Sequence, residues 1–476
     1  MTMRTAIRIL ALAGALLILG VSCYWAPQNE QDGTITVEMG QITGQAQLSE
    51  GSDTARVYLL VEQGSSQGLY PLDGGEMYAD VDFDETISIE GIAPGSGYRV
   101  LISFGSEQNG FFQVTEYAES EPITVESGAD AEVTVQVQDS PFVYPSDGAD
   151  ELLNGQDLNG VVFTGGAAFV ADASSVFRVQ PNLQGAVAED LGGEPEINTL
   201  SRGDDHPVLV NTQEGIFYRD GAGNWAQTNY QEPVTLSAQF ADDVIFQSTE
   251  KLGVAANIDD PVEDWVEVPV GEVTAGSPIR DYAIDFSLGT GGGEAGVALV
   301  SVFGAFRAET GVFDTLADDS DWDDIQDAID STEEDLGFFD NDVAGQILSV
   351  GYGTSGTEST LYVGTDQGVF EETSPGTFEL IPETAGNLIS RVAAGGSDVR
   401  AFVGPYYLYV TDGETTVSYP FVAGFPGNPT DFTWGTVNGT PALYIAGDEG
   451  LVGAPARDNG EPSDPDYFKG LLPPGN

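Results

Sequence analysis

Cysteine, histidine and lysine are nearly missing from this chain of 476 residues. Cys23 is the only cysteine, which excludes a disulfide within the chain and leaves stability to packing. His206 is the only histidine, so a zinc site or a Ser-His-Asp triad would have to use it alone. Its setting, Gly203-Asp204-Asp205-His206-Pro207, reads as a turn ahead of a strand. Lysine occurs only at Lys251 and Lys469, and 77 acidic residues face 14 basic ones, for a formal net charge of -63. Such a field repels phosphate backbones, which excludes nucleic acid as a partner. Anionic lipid headgroups are repelled for the same reason. Long hydrophobic runs are scarce too: the apolar stretch Ile9 to Val21 is too short to span a bilayer.

What remains is enough to build cores. Hydrophobic residues make up 41% and aromatics 10%, which is not the composition of a disordered chain. An acidic, lysine-poor, aromatic-rich chain resembles proteins of salt-loving organisms. The same charge has a competing use, the non-specific capture of Ca2+ or other cations, or of a basic partner.

Arg4 and Arg8 stand before the apolar run, the layout of a secretory signal over residues 1–22. Leu19-Gly20-Val21-Ser22-Cys23 resembles the lipobox of bacterial lipoproteins, with Gly20 where Leu is commonest. The resemblance implies cleavage ahead of Cys23 and a diacylglyceryl group on its thiol, with residues 23–33 as a lipidated linker. Two or three acyl chains hold a protein durably where one does not. Tyr24 follows the cysteine, and the absence of Asp there implies export to an outer membrane. An ordinary cleaved signal with an incidental cysteine is the alternative.

From 34 to 139 the chain reads as strand. Arg56 to Val61, Ile87 to Ile89, Tyr98 to Ile102 and Val133 to Val137 are short runs of branched and aromatic residues. Turn clusters such as Asp73-Gly74-Gly75 and Pro94-Gly95-Ser96-Gly97 separate them. That spacing predicts a small β-sandwich of about seven strands. The phrase from Ile89 to Tyr98, with Val125-Glu126-Ser127-Gly128 before a last strand, resembles the carboxypeptidase-regulatory, transthyretin-like family. Its members usually serve as spacers or adhesive modules.

Residues 140–155 read as a linker, and 156–456 hold a degenerate repeat. Its clearest copy is Leu361-Tyr362-Val363-Gly364-Thr365-Asp366-Gln367-Gly368-Val369-Phe370, and Val208 to Phe217 aligns with it without gaps. Weaker copies start at Ala168, Val244, Ala298, Ala401 and Leu443. These units, spaced by roughly forty residues and carrying four strands each, predict a seven-bladed β-propeller. The last unit lacks a fourth strand before the 457–476 tail, and Phe142-Val143-Tyr144 is the candidate to close the ring. The units resemble those of sialidase-like and sensor-type propellers, and Asp220-Gly221-Ala222-Gly223-Asn224-Trp225 resembles their aspartate-box turn. A linear stack of sheets is the alternative.

An acidic insertion, 318–342, carries twelve carboxylates in 25 residues. Trp322, Ile325, Ala328 and Ile329 predict a short amphipathic helix within it. Asp319, Asp321, Asp323, Asp327 and Asp330 match the spacing of a calcium loop, but Asp324 stands where that loop requires glycine. The segment therefore reads as a solvated acidic face. Gly289-Thr290-Gly291-Gly292-Gly293 has no following Lys or helix and reads as a hairpin loop rather than a phosphate cradle. A sialidase would need three arginines clasping a carboxylate, with Arg178, Arg202, Arg219, Arg280, Arg307, Arg391 and Arg400 to choose from.

The sequence thus predicts an all-β, exported, lipid-anchored cell-envelope protein, tethered through Cys23 at an outer membrane or cell surface. Its propeller is expected to bind or scaffold an envelope protein or glycan, without cofactor, metal or catalytic residues. A propeller-fold glycan hydrolase and an acidic calcium-binding surface protein are the competing readings. The charge yields a first prediction. In about 1 M salt the screening length falls to about 3 Å, so the melting temperature should rise between dilute buffer and molar NaCl; no change would count against self-repulsion.

Overall fold

The computed structural model describes residues 32–37 and most of 54–455, leaving aside 202–207, 269–278, 286–294, 311–321, 325–345 and shorter stretches. Cys23, His206, the Gly289–Gly293 run and the C-terminal tail lie outside the described residues.

The first ten strands are β1 (Gly33–Val37), β2 (Thr54–Gln63), β3 (Ser66–Leu69), β4 (Ala79–Val81), β5 (Ile87–Ile92), β6 (Gly95–Gln108), β7 (Phe111–Glu119), β8 (Ile123–Val125), β9 (Asp130–Val133) and β10 (Gln136–Asp139). They form a small sheet, β5-β1-β9, and a larger one, β10-β7-β6-β2-β3, with β4 on β2 and β8 on β6. Strand alternation aims Ala55, Val57 and Leu59 of β2, and Val100, Ile102 and Phe104 of β6, at Ile35, Val37, Ile87 and Ile89 of the small sheet. This is the predicted sandwich, built from ten strands rather than about seven, and it departs from the reading at two further places. The turn read at Pro94–Gly97 is mostly the start of β6, paired with β8. The last strand, read as Val133 to Val137, is two strands: β9 runs parallel to β1 and β10 antiparallel to β7. The chain changes sheets at Thr134-Val135, which a single strand cannot do.

Seven antiparallel sheets then follow one another through residues 160–455. In the first, the strands are Gly160–Thr164, Ala167–Ala171, Val176–Val179 and Ala186–Glu189; in the second, Ile197–Ser201, Leu209–Thr212, Gly215–Arg219 and Trp225–Gln227. The third to sixth open at Val234, Ile279, Ile347 and Arg391, and the seventh comprises Pro429–Val437, Thr440–Gly447 and Gly450–Pro455. The repeat copies fall on the second and third strand of every sheet. Their Thr-x-x-Gly phrase is turn chemistry. Thr365 Oγ1 accepts the N–H of Gln367 at 3.0 Å and donates to the Gly368 carbonyl at 2.9 Å, and Thr212 does the same with Glu214 (3.0 Å) and Gly215 (2.8 Å). Gly215 and Gly368 sit at φ 112° and 133°, where a side chain is strained.

The sheets are joined near the axis by side chains reaching the next first strand. Asn159 donates to the Ile197 carbonyl at 3.0 Å, Asn198 to Val234 at 2.7 Å, and Arg391 Nε to Thr430 at 3.3 Å. Between the last sheet and the first, the Val161 N–H donates to Asp431 Oδ2 at 2.9 Å. The first strands of these two sheets pack on each other, closing the ring. Val143, preceding the first sheet, exchanges both backbone hydrogen bonds with Gly453 on the open edge of the seventh, at 2.7 and 2.9 Å. These radial sheets form a β-propeller.

The helix predicted within 318–342 is corrected where it is described. Trp322–Asp324 is the fourth strand of the fourth sheet, paired with Phe306, Arg307 and Ala308. The outer edge of the third strand offers a row of unpaired backbone groups, and pairing satisfies them where a helix would not.

The larger sandwich sheet packs its outer face on the propeller. Leu60 of β2, Leu101 of β6 and Tyr117 of β7 join one buried cluster with Tyr407, Tyr409, Phe425 and Phe432 of the last two propeller sheets. Tyr58 meets Phe421 edge-on at 5.0 Å, and Ser103 Oγ donates to the Val422 carbonyl at 2.9 Å. Leu101→Ala should therefore cost about 2–5 kcal/mol. Because its cluster belongs to both halves, calorimetry should show one transition moving as a unit. A sandwich melting apart from the propeller would contradict this packing.

Candidate functional site

An up-and-down ring of sheets has two ends. Turns between second and third strands share one end with the connections from each sheet to the next; the remaining hairpins share the other. The sandwich docks on the first end, at the sixth and seventh sheets. Its contact is the 3-10 turn Phe421–Ala423 with Gly424, in the connection between those sheets. Ser140 Oγ donates to the Ala423 carbonyl and Tyr144 Oη to that of Gly424, while Tyr144 Oη also accepts the Val114 N–H at 3.1 Å. The second end, which carries the Asp220 turn, receives none of these contacts.

A polar cluster sits inside the dock. Tyr407 Oη donates to Glu119 Oε1 at 2.9 Å, Arg99 Nη1 donates to the same oxygen at 3.1 Å, and Arg99 Nε lies 3.3 Å from Glu62 Oε1. One guanidinium thus serves two carboxylates. Burial pushes the Glu119 carboxyl above the usual range, against the pull of the Tyr407 hydroxyl and Arg99. At the rim, Arg56 pairs with Asp80 (3.1 Å) and Glu107 (2.9 Å), with its guanidinium 4.1 Å from the Phe112 ring and 4.9 Å from that of Tyr78. Burial and the neighbouring Asp448 raise Glu449 across the junction. Sequence reading missed this cluster. Arg99, Glu119 and Tyr407 carry no local signal, since the contact joins positions 288 residues apart.

The arginines considered for a carboxylate clasp do not gather into a triad among the described side chains. Arg391 reaches the Thr430 carbonyl, Arg400 lies under the Tyr362 ring at 5.0 Å, and Arg178 pairs with Glu189 at 2.9 Å. Arg178 and Arg219 share the seam between the first two sheets. Burial raises the described tyrosines Tyr58, Tyr144, Tyr362, Tyr407, Tyr409 and Tyr444 above the usual phenol range. The aspartate-box turn is formed: Asp220 accepts the N–H groups of Ala222 (2.9 Å) and Asn224 (2.7 Å), and the side chain of Asn224 (3.0 Å). Those bonds hold its carboxyl below the usual range. No group of three or more metal-ligating side chains occurs among the described residues, and no described helix is long and apolar enough to cross a membrane.

No family model and no curated protein sequence matches the chain. Several solved structures are similar in fold. One is PorZ, an essential bacterial surface component of the type-IX secretion system of Porphyromonas gingivalis (14% identity, 63% of this chain and 36% of that one, TM-score 0.42). Two more are extracellular domains of putative hybrid two-component systems of B. thetaiotaomicron. BT4673 is 12% identical over 66% of this chain and 39% of that one, and BT3049 is 11% identical over 84% and 55%, both with a TM-score of 0.47. The chain thus spans less than two thirds of each of these proteins.

The dock yields a pH prediction. With the Glu119 pKa raised above 4.5, the folded state holds its proton where the unfolded chain has lost it. Stability from this group is therefore present at low pH and declines as pH rises through that window. Glu119→Gln should flatten this part of a melting-temperature profile relative to the parent protein. Superimposable profiles would place Glu119 outside the balance.

Proposed function

We propose that this protein is exported, lipid-anchored through Cys23, and acts at the cell envelope as a binding or scaffolding module, its seven sheets closing as seven blades. The transthyretin-like sandwich is then a fixed mount rather than a loose spacer. The observation carrying this reading is the dock: the sandwich occupies one end of the propeller at the sixth and seventh sheets, leaving the opposite loop-built end for a partner. β1 opens at Gly33, ten residues past Cys23 (33 minus 23), so the sandwich stands between the lipid and the ring. An envelope protein or glycan is the partner class, and loops on a rigid ring are where such binding is built. The same reading makes the molecule a non-enzymatic module without cofactor.

Labelled palmitate should enter the full-length protein and not a Cys23→Ser variant, which should also leave the membrane fraction. Parent protein that stays unlabelled beside labelled lipoproteins would remove the anchor. For the binding role, the protein from residue 24 onward should retain a specific envelope protein or glycan from extracts. Retention lost on substituting loops of the second end would place the contact there.

A further inference from the structure

We propose that the seam between the first two propeller sheets is a second binding site, one that takes a carboxylate carried on an extended, otherwise uncharged peptide segment of a partner protein. Three side chains define it: Arg178 on the third strand of the first sheet, with Arg219 and Trp225 on the third and fourth strands of the second. Arg219 and Trp225 are cross-strand partners.

Glu189 holds one half of the site in place. Its Oε1 takes Arg178 Nε at 2.9 Å and its Oε2 accepts the Trp225 indole N–H at 2.9 Å. Arg219 is set differently. Its guanidinium lies over the Phe169 ring at 5.1 Å, and that ring meets Trp225 edge-on at 6.5 Å. Arg219 forms no ion pair among the described residues, and its Nε is buried without a hydrogen-bond partner. Arg56, Arg99 and Arg178, by contrast, each have a carboxylate within 2.9 to 3.3 Å. Asp220, the sequence neighbour of Arg219, is occupied by its own turn. Beside the arginines, Val187 pairs across the strands with Arg178 and is 56% exposed.

The chemistry selects the ligand. Glu189 already engages a guanidinium and an indole N–H, one on each oxygen, so the side-chain donors left to a ligand are the terminal Nη groups of the two arginines. Two guanidiniums side by side offer donors in excess, which suits a ligand that only accepts, as an ionised carboxylate does and a sugar hydroxyl does not. The planar fork fits a carboxylate through two parallel bonds. A phosphate also only accepts, but its second charge meets more repulsion from an acidic molecule. Val187 and the half-buried indole provide apolar surface for side chains flanking the carboxylate.

The test uses the protein labelled with 5-fluorotryptophan, in about 0.5 M NaCl to screen its net charge. The chain has five tryptophans, and Trp225→Phe assigns the resonance of interest. The probes are an end-blocked Ala-Val-Glu-Val-Ala peptide, its Gln counterpart and the neutral sugar cellotriose. The Glu peptide should shift the Trp225 resonance saturably, and the Gln peptide or Arg219→Gln should weaken binding about tenfold or more. Arg219→Lys, which keeps the charge and loses the fork, should fall between. Unchanged melting of Arg219→Gln certifies its fold; if it melts early, Arg178→Gln, at a more exposed side chain, provides the same comparison. Equal binding of the two peptides, no shift at millimolar peptide, unaltered binding by the arginine variants, or a larger response to cellotriose would each overturn the proposal.

Discussion

The larger sheet of the sandwich is buried on both faces, and the relation between the two halves of the molecule depends on that. A two-sheet sandwich ordinarily shows water the outer side of each sheet. Here β6 has no water side through its middle: Val100, Ile102 and Phe104 enter the sandwich core, while Leu101 joins the propeller cluster and Ser103 bonds to Val422. Each large apolar side chain taken from water contributes about 1.5–3 kcal/mol. Swinging the sandwich away would re-expose Leu60, Leu101 and Tyr117 together. The bonds from Ser140 and Tyr144 to the Ala423 and Gly424 carbonyls close the linker against the same surface. The orientation of the ring is thus set by packing and by short tethers.

The charged groups inside the dock act on a different property. Taking Arg99, Glu62 and Glu119 from water is costly, and their mutual attraction returns only part of it. What the cluster secures is the pairing of its own members: Arg99 reaches both Glu62 and Glu119, and Tyr407 from the propeller donates to Glu119 as well.

Much of the propeller was legible because its repeat is written in turn chemistry. Thr365 and Gly368 recur as Thr212 and Gly215 since each second-to-third strand turn solves the same backbone problem. The dock was legible only in hindsight. In the run Tyr98-Arg99-Val100-Leu101-Ile102-Ser103-Phe104 one face is apolar, while the other alternates Arg99, Leu101 and Ser103 and reads equally well as a wet side. Nothing local says whether its second face meets a helix, another sheet or a second domain. Trp322 misled for a related reason, because its spacing from the apolar residues after it fits a helix face, while Trp322 itself pairs with Ala308 in an outer strand. The split of the Val133 to Val137 run depends on which sheet each half meets, which the residues do not encode locally. The seam holding Arg178 and Arg219 was equally invisible, since its members lie 41 positions apart (219 minus 178). Only the step from one sheet to the next brings them together.

Scarcity gives the basic residues an informative distribution. In so acidic a chain any arginine could find a carboxylate at the surface, where an exposed pair contributes little. Several described arginines are instead fixed at junctions. Arg56 is held by two carboxylates and two rings beside the dock, Arg99 lies within it, and Arg391 ties the sixth sheet to the seventh. Arg391 bridges two sheets directly, whereas Arg56 and Arg99 fix carboxylates of the sandwich beside or within the dock. Arg219 also stands at a junction, laid over the ring of Phe169 from the neighbouring sheet, with no ion pair among the described residues. Its guanidinium is held by a ring rather than by a carboxylate, so the charge stays available, and that is the physical reason for seeking its partner on another molecule.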